Sequence, residues 1–193
     1  FQISALRPII EHLEKLSGRS YRDATVGMRV IADHLRAAVF MIVAGVRPAH
    51  KERGYVLRRL VRRAIRYGQA IGIQKLFLPT TVSVITVLYN DNYPELDTQH
   101  KTIMTVLEKE ERVFLRTLRK GLEELHRRGP TGMTGKDIFT LYDTFGFPTE
   151  LAVEEVLHSG YSLCPQWRDT FDRYMQQQRA RSRTTVSRKG PVQ

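Results

Sequence analysis

The segment 53–68, with the sequence RGYVLRRLVRRAIRYG, shows a clear helical pattern. At about 100° per residue, its apolar side chains fall within one half of a helix and its arginines within the other half. The arginines are Arg58, Arg59, Arg62, Arg63 and Arg66. Like charges three or four residues apart repel by roughly 0.2–0.5 kcal/mol per pair, so this face needs partners outside the helix. The pattern predicts a helix with one face in a core and an exposed, arginine-rich face.

An arginine-rich face favours a polyanion as the partner. The planar guanidinium group donates to phosphate oxygens in a matching geometry, and the segment contains no lysine. Among 193 residues, Lys and Arg outnumber Asp and Glu by 31 to 20, so internal ion pairs cannot neutralise every cation. The backbone of RNA or DNA is therefore the first hypothesis. Two alternatives remain: a solvated face paired with the protein's own carboxylates, and a face docked against another domain.

Apolar residues at helical spacing recur along the chain and predict an all-α fold. The longest such stretch, residues 98–126, predicts a long helix that joins two helical subdomains. A glycine-rich loop after it places the boundary between a first subdomain, residues 1–128, and a smaller one, residues 129–182. The basic segment 183–193 has few apolar residues and is predicted to be a disordered tail. Residues 80–88 are rich in β-branched side chains but have no evident pairing partner, so we expect a helix there as well.

Several classes of site are disfavoured. Cys164 is the single cysteine, so no disulfide or cysteine-based zinc site can form within the chain, and a reducing, cytoplasmic location is expected. The histidines have no close pair at helical spacing, and no metal site is predicted. Adjacent Asp33 and His34 point about 100° apart on a helix, which favours a structural role over a catalytic one. No apolar run reaches the roughly 18 residues of a membrane span. Because the chain begins with Phe1, we expect it to be part of a longer protein.

Two stretches of the sequence resemble the alanyl-tRNA synthetase family. Residues 29–36, RVIADHLR, followed by the segment 53–68, resemble the region after its catalytic core. Residues 141–148, LYDTFGFP, resemble a second signature, with Tyr93-Pro94-Glu95-Leu96 between them. The resemblance extends from the first residue to about residue 182, in the family's order. It implies an all-helical tRNA-recognition region that binds the acceptor stem of tRNA(Ala).

The resemblance also implies what the rest of such an enzyme contains. The catalytic core, which uses ATP and Mg²⁺ to attach alanine to tRNA, lies upstream in the family. A zinc-containing editing domain lies downstream. Both would be partners of this segment within the parent protein, and the segment itself would hold neither catalytic residues nor a cofactor.

Asp143, in LYDTFGFP, occupies the position that the family uses to read a G·U wobble pair. Base edges of A-form RNA are accessible from the minor groove, where the exocyclic amine of guanine is the distinctive donor. An ionised carboxylate only accepts hydrogen bonds, so it can select that amine. The residues alone also allow Asp143 to cap the backbone of Thr144 or Phe145 in a tight turn.

The second recognition position departs from the family pattern. An asparagine usually stands in the linker before RGYVLRR, whereas this chain has His50. A neutral imidazole has one donor and one acceptor on a ring and cannot copy the geometry of a carboxamide. His50 either contacts the groove in another way or is an exposed loop residue. Together with Arg53, Asp143 and the five arginines, it completes the set of expected RNA contacts.

Two functions follow from these observations. The first is the acceptor-stem-binding segment of an alanyl-tRNA synthetase. The alternative is a stand-alone basic helical protein that binds nucleic acid and takes no part in aminoacylation. The sequence upstream of Phe1 distinguishes them, because the synthetase requires class II motifs there.

Overall fold

The computed structural model describes the backbone of residues 6–188 and the side chains of residues 6–181. In this part of the chain every regular element is helical apart from one isolated bridge between Met133 and Leu163, which confirms the all-α prediction. The helices are α1 (Arg7–Ser17), α2 (Thr25–Val43), α3 (Glu52–Ala70), α4 (Leu78–Tyr89), α5 (Glu95–Thr98), α6 (His100–Arg128), α7 (Gly135–Asp143), α8 (Thr149–His158) and α9 (Trp167–Arg188). A 3₁₀ turn, Gly129–Thr131, follows α6. Within the described range, no helix is both long and apolar enough to cross a membrane.

The chain divides into two compact units, residues 1–116 and 117–193. The division falls inside α6, before the glycine-rich loop from which the sequence predicts a boundary. The reason is that the last turns of α6 pack within the second unit. Thr117 Oγ1 donates to Phe145 O over 2.7 Å, and the Phe147 ring fills the space beside Gly121. The long helix therefore supplies core residues to both units.

In the first unit, α2 and α3 pack along their lengths, and α1 and α4 pack against α2 and against each other. The fully buried side chains of this core include Ile9 and Leu13 of α1, Ile31, Leu35 and Ile42 of α2, and Leu57, Val61 and Ile65 of α3. Burying each such side chain contributes about 1.5–3 kcal/mol of transfer free energy. The apolar face predicted for α3 is therefore confirmed for Leu57, Val61, Ala64 and Ile65, whereas Val56 is exposed and Leu60 is half-buried.

The β-branched stretch predicted as helical forms α4, and the structure shows why. Leu78, Val82 and Ile85 are completely buried, so packing outweighs the weak helix propensity of the stretch. The first N–H groups are capped from another helix: the carboxylate of Glu111, in α6, accepts hydrogen bonds from Phe77 N at 3.0 Å and Leu78 N at 3.2 Å. Tertiary contacts thus stabilise a helix that its own sequence favours only slightly.

In the second unit, α7 begins with a capping box, in which Asp137 N–H donates to Thr134 Oγ1 and Thr134 N–H donates to Asp137 Oδ2. Arg128, at the end of α6, donates to the other oxygen of Asp137. Although burial raises the pKa of the Asp137 carboxyl, the hydrogen bonds from Thr134 and Arg128 outweigh it and keep that pKa below its ordinary value. This network ties the start of α7 to the end of α6.

Helix α9 packs against α7 through aromatic side chains. The rings of Phe139 and Tyr174 stack with centroids 5.4 Å apart, and Tyr142 meets Phe171 edge-on at 6.1 Å. The helix extends to Arg188, so residues 183–188 of the segment predicted as a disordered tail are helical. Residues 189–193 of that tail lie outside the described residues.

Candidate nucleic-acid interface

The linker between α2 and α3 lies directly on the first turn of α3. Ala49 N–H donates to Gly54 O over 3.0 Å, and a Cβ atom at Gly54 would stand 2.5 Å from Arg47 O. Because the obstructing atom belongs to the backbone, a larger residue would displace the linker. Gly54, the glycine of RGYVLRR, therefore allows the linker that carries His50 to lie close against α3.

Arg62, in the middle of α3, is buried, with 2% of its surface exposed. Its Nε donates to Glu110 Oε1 over 2.6 Å, and its guanidinium carbon lies 4.8 Å from the centroid of the Phe114 ring. Both partners belong to α6. The prediction that Arg62 stands on an exposed face is wrong, because a carboxylate and an aromatic ring from another helix cover it.

Arg58 contacts the same carboxylate more loosely and also contacts His50. Its Nε lies 3.5 Å from Glu110 Oε1, and its Nη1 lies 2.9 Å from both ring nitrogens of His50. Burial, and then the charges of Arg58 and Arg62, lower the pKa of His50, while Glu110 partly opposes them. Since arginine only donates, His50 accepts from it as a neutral imidazole. The other ring nitrogen carries the N–H group and also lies beside Arg58, although His50 as a whole is exposed.

The remaining arginines of α3 differ in exposure. Arg59, Arg63 and Arg66 are half-buried, whereas Arg53 in the first turn is exposed. Arg63 Nη1 lies 3.3 Å from His34 Nε2 of α2, and its guanidinium carbon lies 5.7 Å from the centroid of the Tyr67 ring. The RNA contacts expected of Arg53, Arg58, Arg59, Arg63 and Arg66 stay predictions.

Asp33 and His34, which the sequence presents as a structural pair, approach each other within 3.5 Å between Oδ2 and Nδ1. This is closer than their 100° separation on the helix suggests. Asp33 also lies 3.3 Å from Arg36 Nη2. The contact between α2 and α3 is made by His34, whose Nε2 lies 3.3 Å from Arg63 Nη1, so His34 helps to anchor α2 against α3.

Two carboxylates of α6, Glu110 and Glu111, organise this region, and neither is predicted from the sequence as a functional residue. Glu111 is fully buried and Glu110 has 13% of its side chain exposed. The sequence does contain a sign of them. The helical spacing predicts buried apolar residues at positions 110 and 111, between Leu107 and Phe114, but both positions carry glutamate. An acid in an apolar stripe needs a donor nearby, and here the donors are the α3 arginines for Glu110 and the start of α4 for Glu111.

Exposed cations gather at the linker. A shallow cleft of about 610 Å³ is lined by the end of α2, the linker and the first turn of α3. Arg47, Lys51 and Arg53 line it and are exposed; Glu52 is the one acid in the lining. Arg47 Nη1 donates to Ile42 O in the last turn of α2 over 3.1 Å and to Val46 O in the linker over 3.0 Å, which positions its guanidinium group. Three cations around one cleft suit a phosphate group.

Asp143 is the last residue of α7, and its side chain is exposed. The turn after it is closed by other groups: Thr144 N–H donates to Thr140 O over 3.0 Å, and Phe147 N–H donates to Leu141 O over 2.9 Å. The Asp143 carboxylate accepts a hydrogen bond from the side-chain amide of Gln178, in α9. Its observed partner is therefore a side chain on another helix rather than the neighbouring backbone.

Among the described residues, no group of three or more His, Cys, Asp or Glu side chains is placed to hold a metal ion.

Comparison with known proteins gives concordant matches. The family model described as "tRNA synthetases class II (A)" matches residues 1–193. The alanine–tRNA ligase of Halalkalibacterium halodurans is 39% identical over 203 aligned positions, which cover 100% of this chain and 23% of that protein. Those of Natranaerobius thermophilus and Streptococcus pyogenes serotype M12 are 37% and 38% identical, over 95% and 100% of this chain. The chain spans between a fifth and a quarter of the length of these relatives.

Proposed function

This chain belongs to the alanyl-tRNA synthetase family, and from that premise we propose that it is the part of an alanine–tRNA ligase that binds the acceptor stem of tRNA(Ala). The observation that carries the proposal is the exposed carboxylate of Asp143. It stands at the end of α7, in the LYDTFGFP motif, where the turn is closed without it. Such a carboxylate can accept a hydrogen bond from the guanine amine of a G·U pair in the minor groove.

The two units contribute different contacts in this proposal. In the first unit, Arg47, Lys51 and Arg53 bind backbone phosphates at the linker cleft, and the half-buried arginines of α3 add positive potential. His50, which is exposed beside this cleft, contacts the groove. In the second unit, Asp143 reads the base. Phosphate contacts set register and orientation, whereas contacts to base edges determine specificity.

The longer enzyme would attach alanine to tRNA in an ATP-dependent reaction. We assign ATP and Mg²⁺ to a catalytic core and zinc to an editing domain, both outside this chain. The role of the present segment is positioning: it holds the acceptor stem so that the tRNA end reaches the catalytic core. Arg62 and Glu110 serve that role indirectly, because they hold α3 to α6.

We expect the affinity of the chain for an acceptor-stem minihelix to fall steeply with salt. If three to five phosphates are neutralised, the logarithmic slope is about 3–5 between roughly 50 and 200 mM salt. Lys51→Ala combined with Arg53→Ala should lower that slope by about 2, since each removed phosphate contact lowers it by about 1. Fluorescence anisotropy with a labelled minihelix measures both quantities.

Lys101→Ala, at an exposed lysine on α6, is the matched control for these substitutions. It removes one positive charge, against two in the double variant, at a position that does not line the linker cleft, so the drops in slope are compared per removed charge. An equal drop in slope for Lys101→Ala would show that the cleft has no special role. A flat salt response of the unmodified chain would argue against RNA binding altogether.

Asp143→Asn should reduce discrimination between G·U and G·C minihelices more than it reduces overall affinity for RNA. The amide of Gln178 donates to Asp143 Oδ1, so the side-chain oxygen of the introduced asparagine would be kept on that donor, and its NH₂ group would face the guanine amine. Both pairs contain the guanine amine, but only in the wobble pair is the amine free of a hydrogen bond to the partner base. We therefore expect the preference for a G·U over a G·C minihelix to fall about tenfold, within the 1–3 kcal/mol of a base contact. Affinity for the G·C minihelix should change little. Equal losses of affinity for the two minihelices would show that Asp143 does not read the base pair.

A further inference from the structure

The Asp143 carboxylate would discriminate bases well only if its orientation is fixed. It is exposed and lies at a helix end, where a free side chain samples several rotamers. Ordering such a side chain on binding costs conformational entropy and weakens the contact. A group that holds the carboxylate before the RNA arrives would reduce that cost.

Gln178 is placed to do this. Its side-chain Nε2 donates to Asp143 Oδ1, and Gln178 itself is half-buried. Phe171, Tyr174 and Gln178 follow one another at intervals of three and four residues, so they share the face of α9 that meets α7. The stacked rings of Phe139 and Tyr174 lie one turn away from the hydrogen bond. The donor and the acceptor are therefore carried by two helices that are packed together.

The backbone contact between these helices is also close. A Cβ atom on Gly135, at the start of α7, would lie 2.0 Å from Trp167 O and 2.5 Å from Phe171 N, both in α9. The absence of a side chain at Gly135 thus lets the two backbones approach directly. Such packing leaves little freedom for α9 to slide along α7, which keeps Gln178 opposite Asp143.

The chemistry of the donor matters as well. An amide is neutral, so it orients the carboxylate without cancelling its charge, as a guanidinium partner would. It occupies Oδ1 and leaves the lone pairs of Oδ2 for the guanine amine. Arg179 and Arg181, exposed beside Gln178 on α9, offset the repulsion between the carboxylate and the RNA phosphates.

We infer that Gln178 is a positioning residue for base recognition: through its hydrogen bond it holds the Asp143 carboxylate in the orientation that accepts from the guanine amine. This inference rests on the proposed function, because it requires Asp143 to read the base. It assigns to α9 a direct part in specificity, in addition to its part in the core of the second unit.

The test compares dissociation constants for G·U and G·C minihelices, measured with the full 193-residue chain. Gln178→Met keeps the length of the side chain and removes the donor. We expect it to lower the G·U preference by roughly three- to tenfold, the value of one hydrogen bond, with little change in affinity for the G·C minihelix. In the Asp143→Asn background the same substitution should cost nothing further, because the two residues act as one unit.

Gln176→Met is the matched control: Gln176 is exposed on the same helix two residues earlier. It should leave the G·U preference unchanged, and thermal unfolding should show that both variants are folded. If Gln178 has only a structural role, Gln178→Met would lower the affinity for both minihelices equally or would only lower the midpoint of thermal unfolding. Either result would overturn the inference. If the unmodified chain binds minihelices but prefers neither, recognition by Asp143 and this inference fail together. If it shows a preference that Gln178→Met retains, only this inference fails.

Discussion

Arg62→Ala is expected to destabilise the first unit by about 3–5 kcal/mol, the usual cost of removing one partner of a buried ion pair. The substitution removes the shortest described contact of Glu110 and leaves its longer contact to Arg58, at 3.5 Å. It also removes the guanidinium group from the face of the fully buried Phe114 ring and creates a cavity there. Urea unfolding followed by far-UV circular dichroism measures the loss. Trp167, the single tryptophan, reports by fluorescence on the second unit alone.

Arg53→Ala serves as the control, because it removes an exposed arginine from the first turn of the same helix. Its effect should stay within about 0.5 kcal/mol, as for most surface substitutions. Arg62→Lys should cause most of the same loss in stability as Arg62→Ala. Lysine keeps the charge but lacks the planar group that fits both the carboxylate and the ring. A loss for Arg62→Ala no larger than that for Arg53→Ala would contradict the structural role of Arg62.

The second large effect concerns pH and Glu111. Burial raises the pKa of this carboxyl to about 7, although hydrogen bonds from Phe77 and Leu78 oppose the rise. Between the unfolded pKa of 4.5 and about 7, the folded chain binds the proton more often than the unfolded chain. The free energy of unfolding therefore decreases as pH rises through this window and levels off above it. The total contribution is about 3 kcal/mol, at 1.36 kcal/mol per pKa unit.

Glu111→Gln isolates this contribution, because glutamine does not titrate. The stability of the unmodified chain minus that of the variant should fall by about 2 kcal/mol between roughly pH 5.5 and pH 7. The two proteins are compared because both contain His12 and His50, whose pKa values are lowered by burial. These histidines make the free energy of unfolding rise with pH in both proteins, and the subtraction removes that effect. Denaturant titrations at a series of pH values provide the data. A difference that does not change with pH would show that Glu111 stays ionised throughout.

Much of the fold could be predicted from the sequence. The helical spacing of apolar residues indicated an all-α chain and the buried face of α3, because that spacing is a local property of the chain. The interruption of the α6 stripe by Glu110 and Glu111 was also visible, but its meaning was not. A carboxylate at a core position indicates that donors must be near, and the sequence does not say which donors.

Only some residues of the candidate site could be predicted from the sequence. Asp143 was identified through its motif, and the structure places it exposed at the end of α7. Arg62 was assigned to an exposed face because its position on the α3 helix is polar, yet α6 covers it. Gln178 could not be predicted as the partner of Asp143, because 35 residues separate the two and no periodicity links them.

The sequence by itself determined most of the helices and their apolar faces, the excess of positive charge and the motifs of the family. These properties depend on residues close together in the chain. Only the tertiary structure decided which polar groups meet: Arg62 with Glu110, Glu111 with the start of α4, and Gln178 with Asp143. The physical reason is that a buried charge or an orphan N–H group must find a partner, and helix packing alone determines which distant residue can supply it.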